Sequence, residues 1–358
     1  MTEYTVRWWR STDVDEFLEL FRRVLGGDYG RDWFDWKYAT NPYVDHVPIV
    51  VAERDGELVG ARAFFGLQVA VDGERFTALE PCDTMVRSDH RRQGLFTRMT
   101  ERAIERYRDG KPSLFFNFPN PLSLPGNLKL GWEEVRKLHT HYRVADPARL
   151  AASRSDGSKL ALAGRLVTPV ARAYNALRDA TTSVPNGVTV RRESGVPAAT
   201  LASIHRASSP GGIHAVRDET FYRWRFDNPN REYETYLAAD SGSPTAMIVG
   251  RPATGDATNV KITDVAPLDD HGEPEQLALL GRIVSEYPEA ALFSIPSRIL
   301  PSDTLRRAGF LSDGAFPLSR IGTARTQVVR SLNGWELNGL DIRDADNWNI
   351  TFAEVDSS

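Results

Sequence analysis

The chain has 358 residues, of which 41% are hydrophobic and 26% charged, and its formal net charge is −4. This length allows two domains of ordinary size, and the mild acidity excludes the strongly basic face of a typical nucleic-acid binder. Its single cysteine, Cys82, excludes an internal disulfide and fits a reducing compartment. Without a long apolar run or a signal-peptide core, the sequence predicts no membrane partner and a cytoplasmic location.

An aromatic segment, residues 33–42, is the first pattern along the chain. It contains Trp33 and Trp36, ends in Asn-Pro, and precedes an apolar strand pair at residues 49–60. Tryptophans three residues apart share one face of a helix, so we interpret them as core residues.

A strand, a short basic loop and a helix follow one another within residues 84–98. Backbone N–H groups in the first turn of a helix have no internal partner, and the helix dipole adds positive charge there. Arg91 and Arg92 add whole charges, and Gly94 lets a bulky anion approach the backbone. This junction predicts a pyrophosphate-binding site. The helix is indicated by apolar residues at helical spacing: Leu95, Phe96, Met99, Ala103, Ile104 and Tyr107.

The order of these features resembles the GNAT superfamily of N-acetyltransferases. The cofactor-loop pattern Arg/Gln-x-x-Gly-x-Gly/Ala reads Arg91–Phe96 here, with Phe96 at a position where a small residue is usual. A buried strand at residues 112–118 and the stretch Leu128-Lys-Leu-Gly-Trp132, similar to the Lys-x-Gly-Phe signature, follow in the family order. The resemblance covers about residues 48 to 145.

The resemblance implies acetyl-CoA as the acyl donor and no metal. It places the pantetheine against the backbone of Met85, Val86 and Arg87, as an added strand. The residues implied to hold the cofactor are therefore Met85, Val86, Arg87, Arg91, Arg92, Gln93, Gly94, Leu95, Phe96 and Asn120.

Glu80 is the candidate general base, because it lies fourteen positions before Gly94, as in histone-acetyltransferase-type members. A partly buried carboxylate has a raised pKa and can accept the proton of an ammonium through water. A surface carboxylate paired with an arginine is an equally good interpretation. Asp83 is the competitor, and strand alternation is expected to place these two carboxylates on opposite faces.

The leaving thiolate has no obvious acid. Where many family members carry a tyrosine, this chain has Asn127. Ser123 is the candidate substitute, and a water held by Asn117 or Asn120 is the alternative. The thiolate could also leave with little help.

Three sequence features of the first half recur in the same order in the second half and indicate an internal repeat. The segment at 221–229 repeats the aromatic Asn-Pro pattern, Asp264 matches Asp83, and residues 305–310 match the Gly-aromatic stretch. The second loop, residues 268–275, is acidic and contains a proline, so the second copy is expected to have lost the cofactor.

These patterns predict an α/β fold of two tandem GNAT-like units, each a mixed, mostly antiparallel sheet flanked by helices. The expected domains are residues 1–147 with acetyl-CoA, a linker at 148–187 with an amphipathic helix docked on its own protein, 188–325 without cofactor, and a C-terminal extension at 326–358. Leu160, Leu166, Val170, Tyr174 and Leu177 mark the apolar face of that helix.

The predicted function is transfer of an acetyl group to a primary amine of a small molecule or peptide. A non-catalytic acyl-CoA sensor and an aminoacyl transferase of the related FemABX type are the alternatives. Cys82 is interpreted as a packed core residue rather than a nucleophile. His139 and His141 are interpreted as polar strand residues rather than metal ligands, since no third ligand lies nearby.

Overall fold

A computed structural model describes residues 4–108, 110–154, 158–182, 187–208, 210–239, 244–253, 258–269, 272–320 and 324–356. No helix among these residues is long and apolar enough to cross a membrane.

The first half begins with a strand, two helices and a long antiparallel meander. In α1 the buried positions Val14, Phe17, Phe21 recur at helical spacing, so one face packs on the sheet. After α2, residues 35–39 form a single π-helical turn. The elements are β1 (Thr5–Trp8), α1 (Val14–Val24), α2 (Arg31–Phe34), β2 (Ile49–Arg54), β3 (Glu57–Val71), β4 (Glu74–Val86), α3 (Leu95–Tyr107), β5 (Leu114–Asn117), α4 (Leu124–Lys129), β6 (Glu133–Leu138) and β7 (Thr140–Val144).

Two helices connect this half to a second set of elements in a similar order. The elements are α5 (Pro147–Arg154), α6 (Ser158–Thr181), β8 (Thr189–Ser194), α7 (Ala198–Arg206), β9 (His214–Ala215), α8 (Glu219–Arg225), β10 (Arg231–Ala239), β11 (Thr245–Pro252), β12 (Asn259–Ala266), α9 (Glu273–Glu286), β13 (Leu292–Pro296), α10 (Ser302–Arg307), β14 (Leu311–Ser312), β15 (Arg325–Ser331), β16 (Glu336–Leu337) and β17 (Leu340–Asp341).

Each half contributes strands to the sheet of the other half: β7 joins the second sheet, and β15 and the two-residue β9, which pairs with β3, join the first. The first sheet has the order β1-β2-β3-β4-β5-β15-β6, and the second has the order β14-β7-β13-β12-β11-β10-β8. In each, one pair is parallel, β4 with β5 and β12 with β13. The predicted class, two mixed and mostly antiparallel sheets flanked by helices, is confirmed. The division at residues 147 and 188 stays a prediction, and the exchange of β7 and β15 adds pairing between sequence-distant segments that it did not include.

A pair of tryptophans joins the two repeats. Trp36 donates its ring N–H to the carbonyl of Trp224 at 2.7 Å, and Trp224 donates to the carbonyl of Trp36 at 2.9 Å. Both rings are buried and lie 6.2 Å apart at 24°. The reciprocal bonds place the two aromatic segments in equivalent environments, as expected of the internal repeat.

Helix α6 docks on the second sheet, and of its predicted apolar face Tyr174 is partly buried while two other residues are exposed. Val170 and Leu177 are 68% and 62% exposed. Asn175 instead donates to the carbonyl of Val144 at 2.9 Å, and Arg143, buried on β7, pairs with Asp179 at 2.8 Å. The polar face packs because β7 offers carbonyls and a buried guanidinium. Leu160 and Leu166 lie outside the described side chains.

Candidate active site

The loop between β4 and α3 presents a row of free backbone donors. Arg92 has a φ of 62° and Gly94, the N-cap of α3, a φ of 71°, so the chain makes two left-handed steps before the helix. The first hydrogen bond here runs from the N–H of Arg98 to the carbonyl of Gly94 at 3.0 Å. No hydrogen bond of the described residues uses the N–H groups of residues 93–97. Residues 91–94 are exposed, so the helix start is open to an anion.

Strands β4 and β5 pair over two residues and then separate. Ala78 pairs with Leu114 and Leu79 with Phe115. Beyond this point β4 stays paired with β3 on its other side, while β5 forms its pairs with β15. Within the described parts of the chain, no strand therefore lies beside the edge of β4 over residues 80–86, and this edge leads directly to the basic loop.

Phe96, the departure from the family pattern, is accommodated by a glycine. A Cβ on Gly126 in α4 would lie 2.7 Å from the Phe96 ring, so the ring covers that glycine closely. The guanidinium of Arg62 lies 4.7 Å from the centroid of the same ring. The large Phe96 on α3 thus packs against the small Gly126 on α4, so the two helices lie close together at this point.

The sequence of this half matches a family model described as an acetyltransferase (GNAT) domain over residues 5–135. The N-terminal unit is a GNAT domain. No curated protein matches the sequence of the chain.

Three solved structures share the fold over most of the chain. They are a GCN5-related N-acetyltransferase from Kribbella flavida (TM-score 0.58, 16% identity, 93% of this chain and 72% of that one), a probable N-acyltransferase from Enterococcus faecalis (0.62, 11%, 93% and 73%) and a putative acetyltransferase from Pyrococcus horikoshii (0.53, 11%, 98% and 94%). At these identities the likeness concerns the fold. The predicted family and the tandem α/β architecture are confirmed.

Glu80 lies in a buried cluster of titratable groups in the GNAT domain. Lys37 forms ion pairs with Asp83 at 2.6 Å and with Asp356 at 3.3 Å. Tyr38 donates a short hydrogen bond to Asp83. Glu80 itself is 1% exposed, and its Oε2 has no hydrogen-bond partner in the part of the chain that the structure describes. Burial, with the nearby Asp356 carboxylate, raises the pKa of Glu80 well above its ordinary range.

The expectation that Glu80 and Asp83 lie on opposite faces is wrong. A β-bulge between Ala61 and Ala63 sets two residues of β4 opposite one of β3, and Asp83 takes a φ of 39°. This extra residue shifts the alternation, so Asp83 bonds to Lys37, whose charge also lowers the pKa of Glu80. Both carboxyl groups therefore belong to one cluster.

The C-terminal segment completes this cluster. Buried Arg225, on α8, donates to the carbonyls of Ala353 at 2.8 Å and Val355 at 2.9 Å. Arg217 forms fully buried ion pairs with Asp264 and Glu354, each at 2.8 Å. These bonds fix the segment and set Asp356 beside Glu80. The extension, to which no role was assigned from sequence, thus carries a carboxylate into the first unit.

The ammonium group of a lysine occupies the place that a metal ion would take in this cluster. Cys82, Asp83 and Asp356 offer three ligand atoms within 4.8 Å of one another. The ammonium of Lys37 already forms ion pairs with both carboxylates, at 2.6 and 3.3 Å. The thiol of Cys82 is buried, and burial raises its pKa well above the ordinary range, which suits a packed residue better than a nucleophile.

The two histidines singled out in the sequence serve other contacts. His139 is 2.8 Å from the carboxylate of Asp313, and His141 is 2.9 Å from the hydroxyl of Ser297.

The predicted cofactor residues at the end of β4, residues 85–87, have side chains that are buried, partly buried or already bonded, so they can offer a ligand mainly their backbone groups. Met85 is buried in the core, and its backbone pairs with β3. The carbonyl of Val86 accepts from Arg91 at 3.2 Å. Arg87 is bound to Glu57 at 3.1 Å and Asp89 at 2.8 Å, so its charge is already compensated. Arg91 and Arg92 therefore carry the free positive charge of the loop.

Asn120 and Ser123 form the turn that begins α4. The side-chain oxygen of Asn120 accepts from the N–H groups of Leu122 at 2.9 Å and Ser123 at 3.0 Å. The Ser123 hydroxyl lies 3.2 Å from the same oxygen. Asn117 is buried, with its Oδ1 unpartnered. The hydroxyl proton of Ser123 is thus directed at Asn120, and both residues support the helix start.

Two cavities lie away from the loop. One of about 770 Å³ opens at the C-terminal end of α3 and includes His46, Arg106 and Tyr107. The other, of about 550 Å³, lies between the two aromatic segments and includes Trp36, Trp224 and Arg231. The second borders both repeats, where acceptor sites often form.

Sequence reasoning missed Lys37, Asp356 and Arg62. Lys37 lies in the aromatic segment as the basic residue after a tryptophan, and Arg62 interrupts the apolar run at residues 58–67 of β3. Both are 3% exposed or less. A charged residue within an apolar strand is the signal that could have identified Arg62. No local pattern links Asp356 to a strand more than 270 positions earlier.

Proposed function

We propose that this protein is an acetyl-CoA-dependent N-acetyltransferase that acts on a primary amine. The observation that carries the proposal is the run of unbonded N–H groups at residues 93–97, opening directly from the unpaired edge of β4. A diphosphate at the helix start and an extended pantetheine along that edge would use both features at once.

In this proposal the loop holds the cofactor by backbone and charge. The N–H groups of residues 93–97 donate to the diphosphate, with Arg91 and Arg92 beside them as exposed cations. Leu95 is buried and Phe96 packs on Gly126, so these side chains fix the helix start rather than touch phosphate. Met85, Val86 and Arg87 supply backbone along the pantetheine, and Asn120 supports α4 at the far wall.

Glu80 is the proposed proton acceptor. Since burial raises its pKa, its carboxylate becomes a stronger base than a solvated one. The neutral amine attacks the thioester carbon, a C–N bond forms, the C–S bond breaks and the amine proton passes to Glu80. Ser123 lies at the start of α4, but its hydroxyl donates to Asn120. We therefore retain it as a supporting residue of the leaving-group side.

We further propose that the second unit binds no cofactor and forms a wall of the acceptor cleft. The acidic first turn of α9, with Glu273 and Glu275, opposes a diphosphate. The shared cavity between the aromatic segments supports the second role.

Titration calorimetry and an amine screen test the proposal together. We expect one acetyl-CoA per chain, followed by release of free CoA with at least one member of a library of amino acids, amino sugars and polyamines. Binding without turnover on any amine would favour the acyl-CoA sensor. Failure to bind acetyl-CoA at all would exclude both functions.

A further inference from the structure

Among the residues that the structure describes, the buried cation Arg62 has no anionic partner. It is 1% exposed on β3, and desolvation lowers its pKa to about 10. Its guanidinium donates to the hydroxyl of Thr84 at 2.6 Å and to the side-chain oxygen of Asn127 at 2.9 Å. Both acceptors are neutral, and Nε has no partner. A buried charge held only by neutral groups is unfavourable until a negative charge comes near.

Arg62 lies at the cleft that forms where β4 and β5 separate. Thr84 lies on the free edge of β4, beyond the last pair with β5. Asn127 lies on α4, which follows β5, and the Phe96 ring covers the guanidinium at 4.7 Å. The guanidinium therefore bridges both walls of the cleft directly beneath the start of α3.

The orientation of Asn127 follows from its partner. A guanidinium can only donate, so the oxygen of the Asn127 amide must face Arg62 and its NH₂ group must face away. No described residue forms a hydrogen bond with that Nδ2, although Asn127 is 0% exposed. A buried, unpartnered donor, held by a cation on its other side, is prepared for an electron-rich acceptor.

We propose that Asn127 donates a hydrogen bond to the CoA sulfur as it departs, with Arg62 as the positioning residue that orients and polarises the amide. The proposal rests on the proposed acyl transfer. As the C–S bond breaks, its electron pair moves to sulfur, and the thiolate accepts the hydrogen bond of Asn127 without taking its proton. The amine proton goes to Glu80, and the thiolate leaves as an anion.

This arrangement explains how a residue that cannot act as an acid can still assist. A thiol is a moderate acid, with a pKa of about 8.5 in free cysteine, so stabilising the thiolate is sufficient near neutral pH. The positive charge of Arg62, transmitted through a single amide, supplies that stabilisation from a position that is 1% exposed.

The test measures the pKa of the CoA thiol bound to the whole protein, so it needs no acyl transfer. Ultraviolet absorbance of the thiolate is followed against pH, with the desulfo-CoA complex as blank. We expect wild-type protein to lower the thiol pKa by about one unit or more relative to free CoA. Asn127→Ala and Arg62→Gln should return it to the free value, whereas Lys129→Ala, an exposed change on the same helix, should not.

Kinetics add a second readout. Asn127→Ala should lower kcat with acetyl-CoA by roughly 10-fold or more while its KM changes little, since the bond forms only as sulfur departs. An unshifted thiol pKa in the wild-type complex would overturn this proposal and leave the transferase intact. Absence of CoA binding would remove the transferase itself. If Arg62→Gln does not fold, the Asn127→Ala comparison decides.

Discussion

The two repeats share a backbone plan but differ in the charge at one helix start. In the first, β4 and β5 separate after Leu79, and in the second, β12 and β13 separate after Lys261. Helix α3 opens with exposed arginines and a left-handed glycine. Helix α9 opens with Glu273, Pro274 and Glu275 after Gly272, which has a φ of −65°. Residues 270 and 271 of the second loop lie outside the described residues.

The acidic residues of the second unit also occupy the space that an anion would need. A Cβ on Gly272 would lie 2.0 Å from the carboxylate of Glu275, so this carboxylate folds over the helix start. Glu273 pairs with Arg307 at 2.6 Å. Strand separation is therefore common to both units, and the loop chemistry alone distinguishes the proposed cofactor site.

The strand register also makes Glu80 and Lys261 equivalent positions. Leu114 and Phe115 on β5 pair with residues 78 and 79, and Leu292 and Phe293 on β13 pair with residues 259 and 260. The next residue is Glu80 in one unit and Lys261 in the other. A buried acid thus corresponds to a partly buried base.

Replacing the charged side chain at each of these two equivalent positions tests most strongly whether only the first unit is catalytic. Glu80→Gln should lower kcat by about 100-fold or more, because a positioned general base typically contributes that much. Its affinity for acetyl-CoA should stay near wild type. In the wild type, kcat/KM should rise with pH through the raised pKa of Glu80, and this rise should vanish in the variant. Lys261→Met is the matched control and should retain most of the activity. Equal losses of turnover and cofactor affinity in Glu80→Gln would make its role structural.

A charge reversal in the loop comes next in expected size. Arg92→Glu brings a negative charge against the diphosphate and should weaken acetyl-CoA binding roughly 10- to 100-fold, the range for losing a charge-assisted contact. Arg102→Glu makes the same charge change further along α3, where Arg102 pairs with exposed Glu105, and should have little effect. Calorimetry on both variants compares them directly. Similar losses in the two would indicate a general field effect rather than a local site.

Much of the first unit could be predicted because its signals are local. A basic loop with one glycine between an apolar strand and an amphipathic helix specifies the β4–α3 junction, whatever the rest of the chain does. The repeated Asn-Pro segments likewise predicted two similar units. In both, an asparagine side chain accepts from the N–H group two residues on, Asn41 from Tyr43 and Asn228 from Asn230, each at 3.0 Å.

The rest depends on contacts between segments far apart in the chain. The placement of β7 in the second sheet and of β15 in the first cannot be predicted from periodicity, because the hydrophobic pattern of a strand does not specify which strand it pairs with. The bulge at Asp83 changes which face each carboxylate occupies, and alternation alone gives the wrong answer. Asp356 reaches Glu80 only because Arg217 and Arg225 hold the tail.

The smallest expected effect is the change of folding stability with pH. Its sign at Glu80, in the first unit, is opposite to its sign at Lys261, in the second. Burial raises the pKa of Glu80 above 4.5, so the folded state binds its proton more tightly and loses stability as pH rises. Burial lowers the pKa of Lys261 from 10.5 to about 7, so the unfolded state binds more protons in that window and stability rises with pH.

Melting temperatures of the wild type, Glu80→Gln and Lys261→Met between about pH 5 and about pH 9 test this sign change. Relative to wild type, Glu80→Gln should gain stability as pH increases, because the neutral amide avoids the cost of a buried carboxylate. Lys261→Met should lose its advantage progressively as pH rises from about 7 toward the ordinary lysine pKa of 10.5, since over this window the folded state has released a proton that the unfolded state still binds. Each effect should amount to a few degrees, at about 2–4 °C per kcal/mol for domains of this size. Parallel curves for all three proteins would show that neither group titrates in the folded state as its burial requires.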